Sequence, residues 1–365
     1  MSSTSTPQKR ILLSGYFGFA NYGDELICQS LCQQFTQQGL KVTVLSNDPA
    51  TTRSILKVGA INRSNPLQVL AGIMNSQIFL SGGGGLFQDT TSPKSVLYYG
   101  GLMIIARLLG KKVIHAFQSV GPIERPFSQW FTKLALKSAH FVMVRDEKSA
   151  DLVGSLTGNR PFVTADAVWA LTPDAELPVR PPNPLNHPEA TVFRLGISLR
   201  PHGNLSLEKL QFFSQMLANF IASVGKPVEL VLLPCQENMD TEILTSVDTW
   251  VKEAVLNKPK GQVKSVMAPV SHLSKAIAGC HAIIGMRYHS VVSALLHKLP
   301  VFALDYDPKV TALCEALALP NQPIETIETI TIEQLFDAFV NEDFSALEGL
   351  KTQVQIGFNA ISAML

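Results

Sequence analysis

Ala282-Ile283-Ile284-Gly285-Met286-Arg287-Tyr288-His289-Ser290-Val291-Val292-Ser293-Ala294-Leu295-Leu296 reads as a buried strand that ends in a glycine and runs straight into a helix. Such a junction belongs to an α/β sheet and lies at the carboxyl edge of its strands, where ligands bind. The helix N-terminus there points backbone N–H groups at whatever sits above it, which favours an anion. Arg287 adds a planar, permanent charge suited to carboxylate or phosphate. His289, two residues on, titrates near neutral pH. Anion binding and proton transfer are thus offered at one turn.

The same alternation runs through the chain on both sides of this stretch. Apolar strands are predicted at residues 10–14, 41–45, 77–80, 112–117 and 140–144, with a helix at 24–38. Between residues 173 and 188 stand Pro173, Pro178, Pro181, Pro182, Pro184 and Pro188, too many for a helix or a central strand. Beyond them the alternation restarts, with strands at 194–199, 228–233, 282–284 and 301–304 and helices at 206–224, 271–279 and 290–297. Strands alternating with helices imply βαβ units, a mostly parallel sheet and right-handed crossovers. The expected fold is α/β, two doubly wound Rossmann-like domains facing across a cleft in a GT-B-like arrangement. The expected domains are residues 9–172, a Pro-rich linker at 173–190, residues 191–342, and a C-terminal helix at 343–365 crossing back onto the first domain.

A chain of 365 residues, 46% apolar, has material for two cores. A net charge of +1 argues against broad electrostatic binding to nucleic acid. The five cysteines are odd in number and scattered, and Cys28 and Cys32 have no further ligands at zinc spacing, so buried reduced thiols and a cytoplasmic protein are expected, with no metal and no cofactor. The apolar run at 11–13 is too short for a signal peptide, and no stretch reaches membrane-span length. Residues 96–109, with Lys111 and Lys112 beside them, allow a shallow contact with the inner face of a membrane.

Further junctions carry polar residues. Ser14 to Glu25 contains Gly15, Gly18 and Gly23 but has neither dinucleotide-fingerprint nor P-loop spacing. Asn21, Asp24 and Glu25 there suit either helix capping or the hydroxyls of a sugar. Ser81-Gly82-Gly83-Gly84-Gly85-Leu86-Phe87-Gln88-Asp89 sets four glycines after a strand, a pattern expected where backbone lies against a ligand or another segment. Gln118 opens a third junction. Arg145 and Arg200 stand at the ends of two more strands, giving with Arg287 three candidate anion clamps. Charge-assisted hydrogen bonds contribute roughly 1.5–3 kcal/mol each, so two or three would hold a small dianion or trianion. His115 and His140 are expected to be satisfied core residues, and His202 is a weaker candidate beside Arg200.

Taken together, Gly15-Tyr16-Phe17-Gly18 with Asn21 and Gly23-Asp24-Glu25, the 81–89 glycine run, Gln118 to Pro122, Val144 to Ser149 and Gly285 to Ser290 resemble the motifs of the polysaccharide pyruvyltransferase family, in its order. The likeness runs from about Lys9 to about Asp307 and is nearest to the CsaB-type enzymes of bacterial cell-wall polymer synthesis. It implies phosphoenolpyruvate as donor and a sugar hydroxyl pair as acceptor, with a 4,6-linked pyruvate ketal and phosphate as products. The implied acceptor is β-N-acetylmannosamine of a lipid-linked saccharide in cell-wall biogenesis and S-layer anchoring. The implied donor contacts are Arg145, Arg287, Tyr288 and His289, to which spacing adds Arg200. The acceptor contacts expected from the junction loops are Asn21, Asp24, Glu25, Gly84, Gln88, Asp89 and Gln118. His289 is expected to act as general acid or to support phosphate departure, Arg145 and Arg287 to stabilise the phosphate, and Asp24, Glu25 or Asp89 to be the base. A GT-B nucleotide-sugar glycosyltransferase is the main alternative, because fold does not fix function; a non-catalytic scaffold is a second. Oligomeric state is left open.

Overall fold

The structure is a computed structural model describing residues 8–90, 92–172, 182–187, 189–256, 258–259 and 261–365. The chain forms two compact units, one of residues up to Thr172 together with Glu348–Leu365, the other Pro173–Leu347. Much of the Pro-rich segment, residues 173–181 and 188, lies outside the described residues.

The first unit runs β1 (Arg10–Phe17), α1 (Tyr22–Gln37), β2 (Lys41–Ser46), α2 (Pro49–Leu56), β3 (Gly59–Asn62), α3 (Pro66–Asn75), β4 (Ile78–Gly82), α4 (Lys94–Leu108), β5 (Lys112–Gln118), α5 (Pro126–Ser138), β6 (Phe141–Val144), α6 (Glu147–Thr157) and β7 (Phe162–Val163). Its sheet has the order β3-β2-β1-β4-β5-β6-β7, parallel throughout. β4 is buried along its whole length, as a strand covered on both faces must be. On one face, residues of α3, α4, α5 and α6 share a single apolar cluster with the strands.

The second unit runs β8 (Phe193–Ser198), α7 (Leu207–Val224), β9 (Val228–Leu232), α8 (Glu237–Leu256), β10 (Val263–Met267), α9 (Leu273–Ala278), β11 (Ala282–Gly285), α10 (Tyr288–Leu296), β12 (Val301–Asp305), α11 (Pro308–Leu317), β13 (Asn321–Pro323) and α12 (Ile332–Val340). Its parallel order is β10-β9-β8-β11-β12-β13. Ser206 caps α7 by accepting from the Lys209 N–H, and Gly225 closes it in the left-handed region, the asymmetry expected of helix ends. The last helix, α13 (Leu347–Ser362), belongs to the first unit beyond its first residue. Phe358 packs its ring 4.4 Å from Phe117 and 5.5 Å from Phe35, and Thr164 donates to the Gln353 carbonyl at 3.0 Å.

Each sheet reverses its order once, between β1 and β4 and between β8 and β11. Doubly wound sheets bind ligands outside the carboxyl ends of the strands at such a reversal. Two places in the chain, one per unit, are thereby singled out. All five cysteines are free thiols and buried; burial pushes Cys235 and Cys280 up to about 12, so neither ionises near neutrality.

Candidate functional site

In the second unit the reversal brings two arginines to one level. Ser198 of β8 pairs with Gly285 of β11 in parallel register, and the Met286 N–H donates to the Ser198 carbonyl at 2.8 Å. Arg200 and Arg287 each stand two residues past that pair, so both leave the sheet edge at the same height on neighbouring strands. Tyr306 follows β12, the next strand over. Arg200 sits with its guanidinium 5.4 Å from the Tyr306 ring centre and Nη1 3.5 Å from its hydroxyl. Burial raises the Tyr306 pKa, opposed by its hydrogen bond to Arg200 and by the charges of Arg200 and Arg287.

The two arginines differ in how they are held. Arg287 presents one edge to Asp240 on α8, Nε at 3.1 Å and Nη2 at 2.5 Å from its two oxygens, and the Asp240 carboxylate is fully buried. Asp240 also accepts the Gln236 N–H at 3.0 Å. The guanidinium is thus oriented by a bidentate fork, the geometry that fixes Arg direction best. Arg200 has no carboxylate partner among the described residues, and its buried Nε has no hydrogen-bond partner. A buried, unmade donor on a cation is costly unless something else supplies an acceptor. α10 starts at Tyr288 without a side-chain cap, with Arg287 as its N-cap residue and His289 in its first turn. Tyr288 and His289 stack edge to face with ring centres 5.0 Å apart. His202 lies against Tyr306 at 5.6 Å.

In the first unit the reversal joins the loop after β1 to the glycine run after β4. Asn21 caps α1, accepting from the Gly23 N–H at 3.2 Å. The glycines are explained by packing. Gly83 and Gly84 both have positive φ, a Cβ on Gly83 would lie 2.0 Å from Ile27 Cγ2, and one on Gly84 would lie 2.8 Å from Asp24 Oδ1. Only Gly85 faces open space. Of the two readings the run allowed, a ligand or another segment of the chain, Gly83 and Gly84 show the second, close approach by α1 through Ile27 and Asp24.

The carboxylates divide by use. Glu25 accepts the amides of Gly18 at 2.8 Å and Phe19 at 3.1 Å, so it folds the β1 loop back onto its helix. Asp89 is buried and takes the Glu124 and Arg125 amides, one on each oxygen at 2.9 Å. Burial alone would raise its pKa, but these amides prevail and hold it below the ordinary value of 3.8. A depressed pKa stabilises the fold above the unfolded value, and that contribution is lost as pH falls through the folded one. Asp89→Ala is therefore expected to lower the melting temperature at pH 7 and to do so less below pH 3.8, a gap that differential scanning calorimetry at the two pH values would measure. Glu25 and Asp89 as acceptor-side bases are thus replaced by structural roles. Asp24 acts on Tyr16 and Tyr99 through its charge.

Arg145 also faces inward. Its Nε donates to Ser119 Oγ at 2.7 Å, its Nη1 is ion-paired with Asp166, and its side chain is 5% exposed. A guanidinium so held has the geometry of a strut within its own unit, where an open anion clamp was expected. Gln118 is buried, donates to Ser81 at 2.9 Å and leaves its carbonyl oxygen without a hydrogen-bond partner. Gln88 is half-buried and accepts from the Thr90 N–H at 3.2 Å. His115 is a core residue as expected but not a satisfied one: neither ring nitrogen has a hydrogen-bond partner, and burial lowers its pKa to about 3, so it is neutral. His140 is an exposed residue whose Nδ1 accepts the Val113 N–H at 3.0 Å.

Two features escaped the sequence reading. Tyr306 follows the strand at 301–304, and the junction signal that found the arginines covers it too. Arg63, just past β3, donates to the Gly15 carbonyl at 3.1 Å and the Tyr99 hydroxyl at 3.0 Å, with the Tyr98 and Phe19 rings 4.5 and 5.0 Å from its guanidinium. Phe19 stacks on Tyr16 at 4.0 Å, which makes an aromatic ledge beside Asp24.

Comparison with solved structures finds the same fold in several proteins. The chain is similar to UDP-GlcNAc 2-epimerase from Neisseria meningitidis, with a TM-score of 0.58 at 13% identity over 96% of this chain and 99% of that one. It is similar to Acinetobacter baumannii MurG (TM-score 0.52, 13% identity, 98% and 100% covered) and to Anabaena HepE (0.54, 14%, 98% and 95%). These identities show the two-Rossmann α/β fold and nothing finer. Among curated proteins none matches. The model of one family, described as polysaccharide pyruvyl transferase, matches residues 21–308.

Proposed function

Since the chain belongs to the polysaccharide pyruvyl transferase family, we propose that it transfers the pyruvyl group of phosphoenolpyruvate to two hydroxyls of a sugar, forming a 4,6-ketal and releasing phosphate. The observation that carries the reading is the pair Arg200 and Arg287, level with each other at the strand-order reversal and beside His289. Phosphoenolpyruvate bears a carboxylate and a phosphate, and two cations at adjacent strand ends match two anionic groups on one small molecule. Arg287, oriented by Asp240, takes the phosphate together with the uncapped α10 terminus; Arg200 takes the carboxylate, which supplies the acceptor that its Nε lacks.

Protonation at C3 makes C2 electrophilic, one acceptor hydroxyl adds there, phosphate departs, and the second hydroxyl closes the ring. Of the two hydroxyl protons lost, one is balanced by the proton gained at C3 and the other leaves on phosphate. We assign the C3 proton to His289, in the first turn of α10 beside Arg287. The acceptor is a β-N-acetylmannosaminyl unit on a cell-wall precursor.

Incubation with phosphoenolpyruvate and such a saccharide should give acceptor-dependent phosphate and a product heavier by about 70 Da, the mass of a pyruvyl ketal. Thermal protection by UDP and not by phosphoenolpyruvate would overturn the donor assignment in favour of nucleotide-sugar transfer. His289→Gln should lower kcat by about 10²–10⁴-fold, the usual worth of a general acid. Phosphoenolpyruvate should still raise the melting point of that variant; unchanged kcat would remove His289 from the chemistry.

A further inference from the structure

α4 and α5 lie on the same face of the first sheet and pack closely, for a Cβ on Gly100 would stand 2.9 Å from the Phe131 ring. Their outer sides are apolar where a surface helix is ordinarily polar. Leu97, Ile105 and Leu108 recur along α4, and Phe127, Trp130 and Leu134 along α5 at i, i+3 and i+7. Trp130 is 58% exposed and Leu108 80%, so on both helices large apolar side chains stand in solvent rather than in the core.

The charge around this face is one-sided. Residues 90–145 hold eight Lys or Arg and a single acid, Glu124, in a chain whose net charge is only +1. Lys94, Lys133 and Lys137 on these two helices, and Arg125 just before α5, are exposed. Lys111 and Lys112, the pair singled out from sequence, donate instead to the backbone carbonyls of Met74 and Met364. Exposed leucine, phenylalanine and tryptophan set among lysines, almost without acids, match the two halves of an anionic bilayer surface, acyl chains and phosphate headgroups. A protein partner would need an acidic rim around an apolar centre, a narrower requirement. Among the described residues no helix is long and apolar enough to cross a membrane.

We propose that the outer face of α4 and α5 docks the protein on an anionic phospholipid membrane, with Phe127, Trp130 and Leu134 entering the interface and Lys133 and Lys137 meeting headgroups. The first turns of both helices follow β4 and β5, so Lys94, Leu97, Arg125 and Phe127 lie toward the carboxyl edge that carries the glycine run and Gln118. An acceptor carried on a lipid would reach that edge from the bilayer. The docking claim stands apart from the chemistry proposed above, because its test needs no turnover.

The test is co-sedimentation of the full chain with phosphatidylcholine vesicles and with phosphatidylcholine–phosphatidylglycerol vesicles, at low and high salt. Binding to the anionic vesicles should exceed binding to the neutral ones at least about tenfold and weaken with salt, as electrostatic attachment does. The triple variant F127S/W130S/L134S should lose that binding, and so should K133E/K137E, with circular dichroism and melting point unchanged because every altered side chain is exposed. Absence of wild-type binding at low salt would overturn the proposal, as would equal binding by the triple variant. A wild-type mass of two chains in solution that falls to one in the triple variant would overturn it in favour of self-association.

Discussion

Arg200→Ala and Arg287→Ala are each expected to lower kcat/KM for phosphoenolpyruvate by about a thousandfold, about 4 kcal/mol of transition-state stabilisation, yet to differ in stability. Arg287 neutralises Asp240, whose carboxylate is fully buried on α8. Its removal leaves that charge uncompensated, at a cost of about 3–5 kcal/mol. Among the described residues Arg200 compensates no carboxylate, and its Nε is a buried donor already without a partner. Removing it gives up a cation–π contact with Tyr306, about 0.5–1 kcal/mol when partly exposed, and also removes the orphaned donor. Arg200→Ala should therefore melt within a degree or two of wild type, while Arg287→Ala melts well below it.

A double variant separates fold from function at Arg287. Arg287→Ala/Asp240→Ala removes both members of the pair and should regain most of the stability while staying inactive. Phosphoenolpyruvate should raise the melting point of wild type and not of Arg200→Ala, since a ligand stabilises only what it binds. Full activity of Arg200→Ala would remove the carboxylate clamp from the mechanism. Arg200→Lys should recover little, because a point charge does not reproduce a planar fork.

What the sequence disclosed follows from position in the sheet. Among the described residues the nine interior strands were all predicted, because strands covered on both faces are continuous apolar runs. The four that escaped are the four edges, β3, β7, β10 and β13. β7 is two residues long, β10 alternates between half-buried and exposed, and β13 is Asn321-Gln322-Pro323, with no apolar signal at all. The arginine pair of the second unit was legible for the same reason, since Arg200 and Arg287 each stand two residues past an interior strand. What could not be read was whether a carboxylate returns to each arginine. Asp240 lies 47 residues before Arg287 and Asp166 lies 21 after Arg145, and neither spacing belongs to a helix or strand period. A junction arginine thus has one sequence signature and two fates, ligand clamp or internal strut. The glycine run was ambiguous in the same way, and the approach of Ile27 and Asp24 resolves it.

Arg145 is where those two fates predict opposite results. Asp166 is fully buried, caps the turn at Ala167–Ala170 by accepting the Val168 N–H at 3.0 Å, and is ion-paired with Arg145. Arg145→Met should destabilise the first unit by about 3–5 kcal/mol, because it strands a carboxylate away from water. In a unit of this size that is roughly 6–20 °C of melting temperature. Arg145→Met/Asp166→Asn removes both charges, keeps an acceptor for Val168, and should restore most of the loss. If Arg145 is a strut, the double variant also regains turnover, since nothing that touches phosphoenolpyruvate has been deleted. If Arg145 clamps the donor, the double variant is stable and remains about a hundredfold or more below wild type, the cost of a missing charge-stabilising donor. Calorimetry and phosphate release on those two proteins distinguish the cases. The 5% exposure of the Arg145 side chain and its inward pairing favour recovery of both properties together.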